Sequence, residues 1–242
     1  MKTAQILIIG DEILSGRTQD TNSFYLAKKL SVRSIRTEKI MVLPDNLVLL
    51  SQWIYQNHSL SDYLFICGGI GGTSDDVTRK AVANALGLEL SRHPKASEIL
   101  KEFYQGRENP ERMSMADLPL GCTLIENTVT KAPGFKIKNI YVFAGIPKIL
   151  YAMFESIENE LQGGLPLSEA ELNLAVGEGE IAKVMKVINK EYPLVELGSY
   201  PTLDSTKNYK TQIVFKSLES ELTRQAVARF VELCGVEALS KN

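Results

Sequence analysis

A buried strand, a glycine-dense turn and a new helix follow one another without a break between residues 63 and 86. Residues 63–67, Tyr-Leu-Phe-Ile-Cys, form an apolar run of strand length. Residues 79–86 have helical spacing. Between them stand Gly68, Gly69, Gly71 and Gly72, then Thr73, Ser74, Asp75, Asp76 and Thr78. Glycines let the backbone come close, and a helix start offers free N–H groups and partial positive charge. This junction is built to grip a phosphate. Two carboxylates in the same turn repel one, unless a divalent metal joins them or one acts as a base. The turn therefore points to nucleotide or phosphoester chemistry with magnesium or a similar metal. Thr73 and Ser74 offer hydroxyls to phosphate oxygens. Ser74, Asp75 and Asp76 each have the competing role of capping the helix that follows.

The rest of the first part repeats the unit. Residues 3–9 are a continuous apolar run, the pattern of a strand covered on both faces. Asp20-Thr-Asn22 caps a helix carrying Phe24, Leu26, Ala27 and Leu30, and residues 35–43 are a second strand. Asp45 begins a helix to about residue 57, with Leu47, Leu50, Trp53 and Ile54 on one face. This rhythm predicts α/β architecture, a mostly parallel sheet with helices on both faces. Residues 92–117 are polar and helical, punctuated by Pro94 and Pro110. Residues 122–125 and 140–143 are short strands, separated by a loop at 132–135. A helix opens at residues 145–147 and runs to about 161.

Gln162-Gly-Gly-Leu-Pro166 is the linker candidate, so domains are expected at 1–165 and 166–242. The second reads as strand 172–176, helix 178–190, strands 194–199 and 211–216, and helix 220–234, a small α+β unit. Ala226, Val227, Phe230, Val231 and Cys234 are expected to pack that last helix on its own sheet.

In a 242-residue chain with 44% hydrophobic residues a sizeable core is available, and a net charge of −2 gives nucleic acid no electrostatic footing. Cys67, Cys122 and Cys234 stand in no metal spacing and suggest reduced thiols in a cytoplasmic protein. The opening apolar run reads as a first strand, not a signal segment, and no stretch approaches a membrane span. His58 and His93 have no partners at triad or zinc spacing.

Gly10, Asp11 and Glu12 follow the first strand at the carboxyl edge of the sheet, where open α/β sheets place ligands. They are either a solvated loop or part of a metal site. Asn22 either caps a helix or meets a ligand. Asp45 follows the second strand and stands at the cap position of the helix that begins there. Pro133 and Gly134 shape a loop near the site, and Gly145 with Pro147 starts a helix there.

Residues 10–22, Gly-Asp-Glu-Ile-Leu-Ser-Gly-Arg-Thr-Gln-Asp-Thr-Asn, and residues 68–78 resemble two signatures of the MoaB/MogA molybdopterin-binding fold in its CinA-like branch. Ala132-Pro-Gly-Phe135 and Gly145-Ile-Pro147 resemble a third and a fourth. The tail, with Leu197-Gly-Ser-Tyr-Pro201, resembles the small domain that follows this fold in CinA-like proteins and some FAD synthases. Three positions depart from the pattern. Gly72 replaces a usual proline and is expected to loosen the loop, Ala144 replaces another, and Lys131 stands where a small or neutral residue is common. Neither the deamidase domain of full CinA proteins nor the synthase domain of FAD synthases is expected.

The resemblance implies metal-dependent hydrolysis of a nucleotide pyrophosphate of the ADP-ribose or FAD kind, with magnesium, manganese or cobalt. It matches Asp76, and by position Asp45, to the acids of the MogA-like site. The glycine loop would then hold one phosphate, and a metal on Asp45 and Asp76 would neutralise charge and lower the pKa of an attacking water. Asp11, Glu12 or Asp75 would orient that water. The alternatives are a module that binds molybdopterin or a nucleotide without turnover, or molybdopterin adenylyl transfer, against which the CinA-like tail argues. The partners expected are a small nucleotide or pterin pyrophosphate and further copies of the chain, a dimer or higher.

Overall fold

A computed structural model describes residues 1–235. The chain divides into two compact units, Met1–Gly164 and Leu165–Asn242. In the first, β1 (Lys2–Ile9) leads into a single helical turn, α1 (Asp11–Leu14), then α2 (Asn22–Val32), β2 (Ile35–Leu43), α3 (Leu47–Asn57) and β3 (Tyr63–Cys67). After the glycine turn come α4 (Thr78–Leu86), β4 (Leu90–Arg92), α5 (Pro94–Tyr104), α6 (Pro110–Ser114) and β5 (Asp117–Pro119). The unit ends with β6 (Thr123–Ile125), β7 (Gly134–Ile137), β8 (Ile140–Phe143) and α7 (Pro147–Ile157).

Six strands form one sheet in the order β2-β1-β3-β8-β7-β6. The first four run parallel and the last two antiparallel. Ile6, Leu7, Leu64, Phe65 and Val142 are fully buried in this sheet, as continuous apolar runs require. α2 packs on β1 and β2, α7 on β6 and β8, and α3 on α4.

The second unit contains β9 (Ser168–Leu174), α8 (Glu178–Glu191), β10 (Glu196–Pro201), β11 (Thr211–Ser217) and α9 (Ser220–Cys234). Its strands form an antiparallel sheet, β10-β11-β9. It has its own core, where Ala226 and Phe230 of α9 pack with Ile213 and Phe215, and Val227 and Cys234 lie at the margin. No helix among the described residues is long and apolar enough to cross a membrane.

Several local expectations are corrected. Residues 132–135 are not all loop: Gly134 and Phe135 open β7, where Phe135 is fully buried and pairs with Val142. A Cβ on Gly134 would lie 2.4 Å from the Val142 carbonyl oxygen, so this glycine allows a close strand contact and does not mark a turn. α3 begins at Leu47, not Asp45, because the Asn46 side chain is the cap and accepts from the Leu49 amide at 3.0 Å. α4 begins at Thr78, beyond both acids of the loop. The polar stretch at 92–117 holds two helices with proline in the first turn, capped by His93 and Asn109 and bracketed by the paired strands β4 and β5.

Candidate functional site

The segments that leave the carboxyl ends of β1, β2, β3 and β8 wall a cavity of about 520 Å³. Backbone bonds lace these ends together. The Gly10 amide donates to the Leu43 carbonyl at 3.2 Å, and the Gly68 amide to Phe143 at 3.0 Å. A Cβ on Gly68, whose φ is +109°, would lie 2.3 Å from the Ile9 carbonyl oxygen. Chain order reverses around β1, with β2 on one side and β3 on the other, and that is where open sheets leave a crevice.

Asp76 organises the glycine loop. Its Oδ1 accepts from the Gly71 amide at 2.7 Å, and its Oδ2 from the Thr73 amide at 2.8 Å and hydroxyl at 2.5 Å. None of Ser74, Asp75 and Asp76 caps α4. The Thr78 amide donates instead to the Gly69 carbonyl at 3.0 Å. The fully buried Thr78 hydroxyl donates to the Gly68 carbonyl at 2.8 Å, so Thr78 braces the loop from beneath. Arg79, also buried, donates its guanidinium to the carbonyls of Ile70 and Gly71, the latter at 2.7 Å. Burial lowers its pKa, while the charges of Asp76 and Asp117 act the other way. With these groups turned inward, the amides of Gly69, Ile70 and Gly72 bond to nothing among the described residues and can meet an anion. Gly72 does not loosen the loop. A Cβ there would lie 2.3 Å from the Glu111 carbonyl oxygen, so the glycine lets the loop press against α6. Gly72, Thr73 and Ser74 line a separate hollow with Arg112 and Met115.

Among the described residues, the cavity wall carries Glu12, Asp45, Asp75 and Asp76, and no lysine or arginine. Because Asn46 does the capping, Asp45 is free to face the loop. Its Oδ2 accepts from the Asp11 amide at 3.2 Å, and its Oδ1 lies 3.4 Å from where a Gly69 Cβ would be. Burial pushes the Asp45 pKa above the usual carboxylate value. The Asp11 amide opposes that shift, and the negative charges of Asp11, Glu12 and Asp75 add to it. Asp11 is exposed and does not line the cavity, whereas Glu12 folds back over Gly10 and does.

No set of three or more His, Cys, Asp or Glu side chains among the described residues is arranged as a metal cage. Magnesium is commonly held by one or two carboxylates together with the ligand's own phosphates. Asp45, with Oδ1 open, fits that role. Asp76 spends three of its roughly four lone-pair directions on the loop and fits it less well.

Asn22 neither caps nor lines the cavity. Its amide side chain donates to the Gly145 carbonyl at 2.7 Å and ties α2 to the turn before α7. Thr21 stands at the N-cap of α2 without a side-chain bond, and Asp20 ahead of it accepts from the amides of Asn22 and Ser23 at 2.9 and 3.1 Å. Gly145 and Pro147 line the cavity; Pro133 and Gly134 do not. The wall also includes Thr18, Met115, Asn127 and Thr130, which sequence reasoning did not single out. Asn127 had a legible signal, since asparagine ahead of a short polar run is a turn former.

Residues 5–162 match the family described as a probable molybdopterin binding domain. Residues 166–242 match the FAD synthase middle domain. The sheet described above is thus the MoaB/MogA-like α/β fold, followed by a small domain with an antiparallel sheet. A CinA-like protein of Sulfurihydrogenibium is 36% identical over 160 residues, which cover 62% of this chain and 40% of that one. A probable FAD synthase of Caenorhabditis elegans is 27% identical over 262 residues, covering 96% of this chain and 50% of that one. The crystal structure of the protein CinA with unknown function from Thermoplasma acidophilum superposes with a TM-score of 0.62 at 30% identity, over 66% of this chain and 98% of that one.

Proposed function

The chain belongs to the family of the probable molybdopterin binding domain, and on that premise we propose that its first unit binds a nucleotide or pterin pyrophosphate in the glycine cavity and hydrolyses it with a divalent metal. One observation carries the reading: unbonded loop amides meet a wall of four acids that holds no cation. Such a wall repels a pyrophosphate by itself. Magnesium, manganese or cobalt, when bound, supplies the missing positive charge. Asp45 would hold it. Asp76 fixes the loop that offers its amides to a phosphate. Glu12 and Asp75 both reach the wall, and they orient the water that attacks phosphorus. One of the two takes its proton as the bridging P–O bond breaks and the other phosphate leaves with the bridging oxygen.

The test is product analysis with ADP-ribose, FAD and ATP, each with and without magnesium, manganese and cobalt. Cleavage is expected only with metal, and Asp45→Asn should reduce it about 100-fold or more. Asp76→Asn removes one acceptor from three converging donors, so it should lose turnover together with loop order. A second reading, binding without turnover, is favoured by the engagement of both Asp76 oxygens with the loop. Saturable binding with no product from any substrate and metal would establish it instead. Transfer of an adenylyl group to a pterin acceptor would point to the third chemistry.

Self-association belongs to the same proposal. Phe24 and Val32 on α2, and Val48 and Tyr55 on α3, are large apolar side chains left exposed. Light scattering should report a dimer or higher. The three unpaired cysteines suit a reducing, cytoplasmic setting.

A further inference from the structure

A second cleft, of about 630 Å³, opens beside the glycine cavity between α5 and residues 124–133. The two hollows share one residue, Asn127. From there the chain forms a partition whose residues alternate. Thr130 and Ala132 line the glycine cavity, and Lys131 and Pro133 line the second cleft. The buried Asn127 fixes this partition. Its Oδ1 accepts from the Val129 and Thr130 amides at 3.0 and 3.1 Å, and its Nδ2 donates to the Thr130 hydroxyl at 2.6 Å and the Ala132 carbonyl at 2.8 Å.

Lys131 is exposed, and its backbone is held in an uncommon conformation. Its φ of +62° lies in the region that favours glycine, so the lysine is kept there at a conformational cost. Its ammonium forms no ion pair among the described residues. Across the cleft stands Phe103, 38% exposed, which leaves its ring open to contact. Lys95, Glu102, Gln105 and Glu126 complete a polar rim.

We infer that this cleft is a second subsite for the same ligand, which takes the distal nucleoside half of a dinucleotide-type pyrophosphate. The inference rests on the proposed pyrophosphate reading and narrows it to two-part substrates. One phosphate sits at the glycine loop. The other crosses the partition beside Asn127 and meets Lys131. The aromatic base lies against Phe103, a contact that any flat base can make. The carboxylates of Glu102 and Glu126 accept from ribose hydroxyls. Each hollow lies within the volume range of small-molecule sites. A ligand confined to the glycine cavity leaves Lys131, on the far side of the partition, out of reach.

Calorimetric titration of the full chain with magnesium tests this, using ADP-ribose in its non-hydrolysable methylene-bridged form as the two-part probe and inorganic phosphate as the probe of the glycine loop alone. Lys131→Ala and Phe103→Ala should each weaken ADP-ribose binding at least about tenfold and leave phosphate affinity unchanged. Lys131→Arg should restore ADP-ribose binding. Lys131→Gly, which suits the backbone, should melt no lower than the native chain while losing ADP-ribose affinity, a divergence that a purely structural lysine does not produce. ADP-ribose affinity indifferent to Lys131, or equal losses for both probes, would overturn the inference. A native chain that binds phosphate but not ADP-ribose overturns it alone. One that binds neither overturns the pyrophosphate reading as well.

Discussion

Asp45 is partly withdrawn from water and stands among the acids Asp11, Glu12 and Asp75, so its carboxyl holds a proton more tightly than an ordinary aspartate. The raised folded pKa gives the linkage its sign. The native state is favoured by this group below the unfolded pKa, and the advantage is lost as pH rises through the folded pKa. At neutral pH the ionised Asp45 therefore costs stability. Asparagine keeps the acceptor for the Asp11 amide and drops the charge. Asp45→Asn should raise the melting temperature near neutral pH and make no difference well below the carboxylate range. Thermal melts across a pH series check this. Added magnesium should reverse the order at neutral pH, because it stabilises the native chain and finds no carboxylate in the variant. On the proposed metal reading, Asp45 is a stability–function trade-off at one atom: its charge weakens the fold unless a cation meets it.

At the scale of elements, the glycine loop and α6 are mechanically one piece, because the Gly72 backbone runs against the Glu111 carbonyl. Gly72→Ala should cost about 1–3 kcal/mol, since backbone and not a flexible side-chain tip must give way. Gly87→Ala meets no neighbour within 4 Å and strains only its own φ of +66°, so about 1 kcal/mol is expected. Denaturant melts of the pair separate the two costs. The same region shows what a sequence reveals and what it hides. β1, β3, α2 and α4 were legible because apolar runs and helical spacing are local. The loops holding Gly10, Gly68 and Gly145 were legible as a site because each directly follows a strand end. β4 and β5 were not, being three residues long and paired across residues 93–116. β7 was masked by Pro133-Gly134, which has the composition of a turn and serves a close strand contact. Asn46 took the capping role assigned to Asp45 because adjacent polar residues compete for one helix start. The support that Arg79 gives the loop carbonyls arises from folding and has no signature in spacing.

At the scale of the whole molecule, two hydrophobic cores are distinct, one built on the six-stranded sheet and one on the three-stranded sheet. A chain ending at Gly164 should therefore fold cooperatively and bind ADP-ribose within about twofold of the full chain, below the 1.4 kcal/mol that a tenfold change represents. Calorimetry of both lengths decides it, and a large loss in a well-folded short chain would place part of the site in the second unit. One residue also lets the first unit keep time. Cys67 ends β3 directly beneath the glycine loop, fully buried, with its thiol pushed well above its usual pKa by that burial. Only an exposed thiolate reacts, so Cys67 is silent to an alkylating reagent until the strand ends part. Cys234, partly exposed on α9, reports separately on the second unit. The labelling rate of Cys67 is then a clock built into the floor of the cavity. A ligand that settles on the loop should slow it, while Cys234 runs at an unchanged pace.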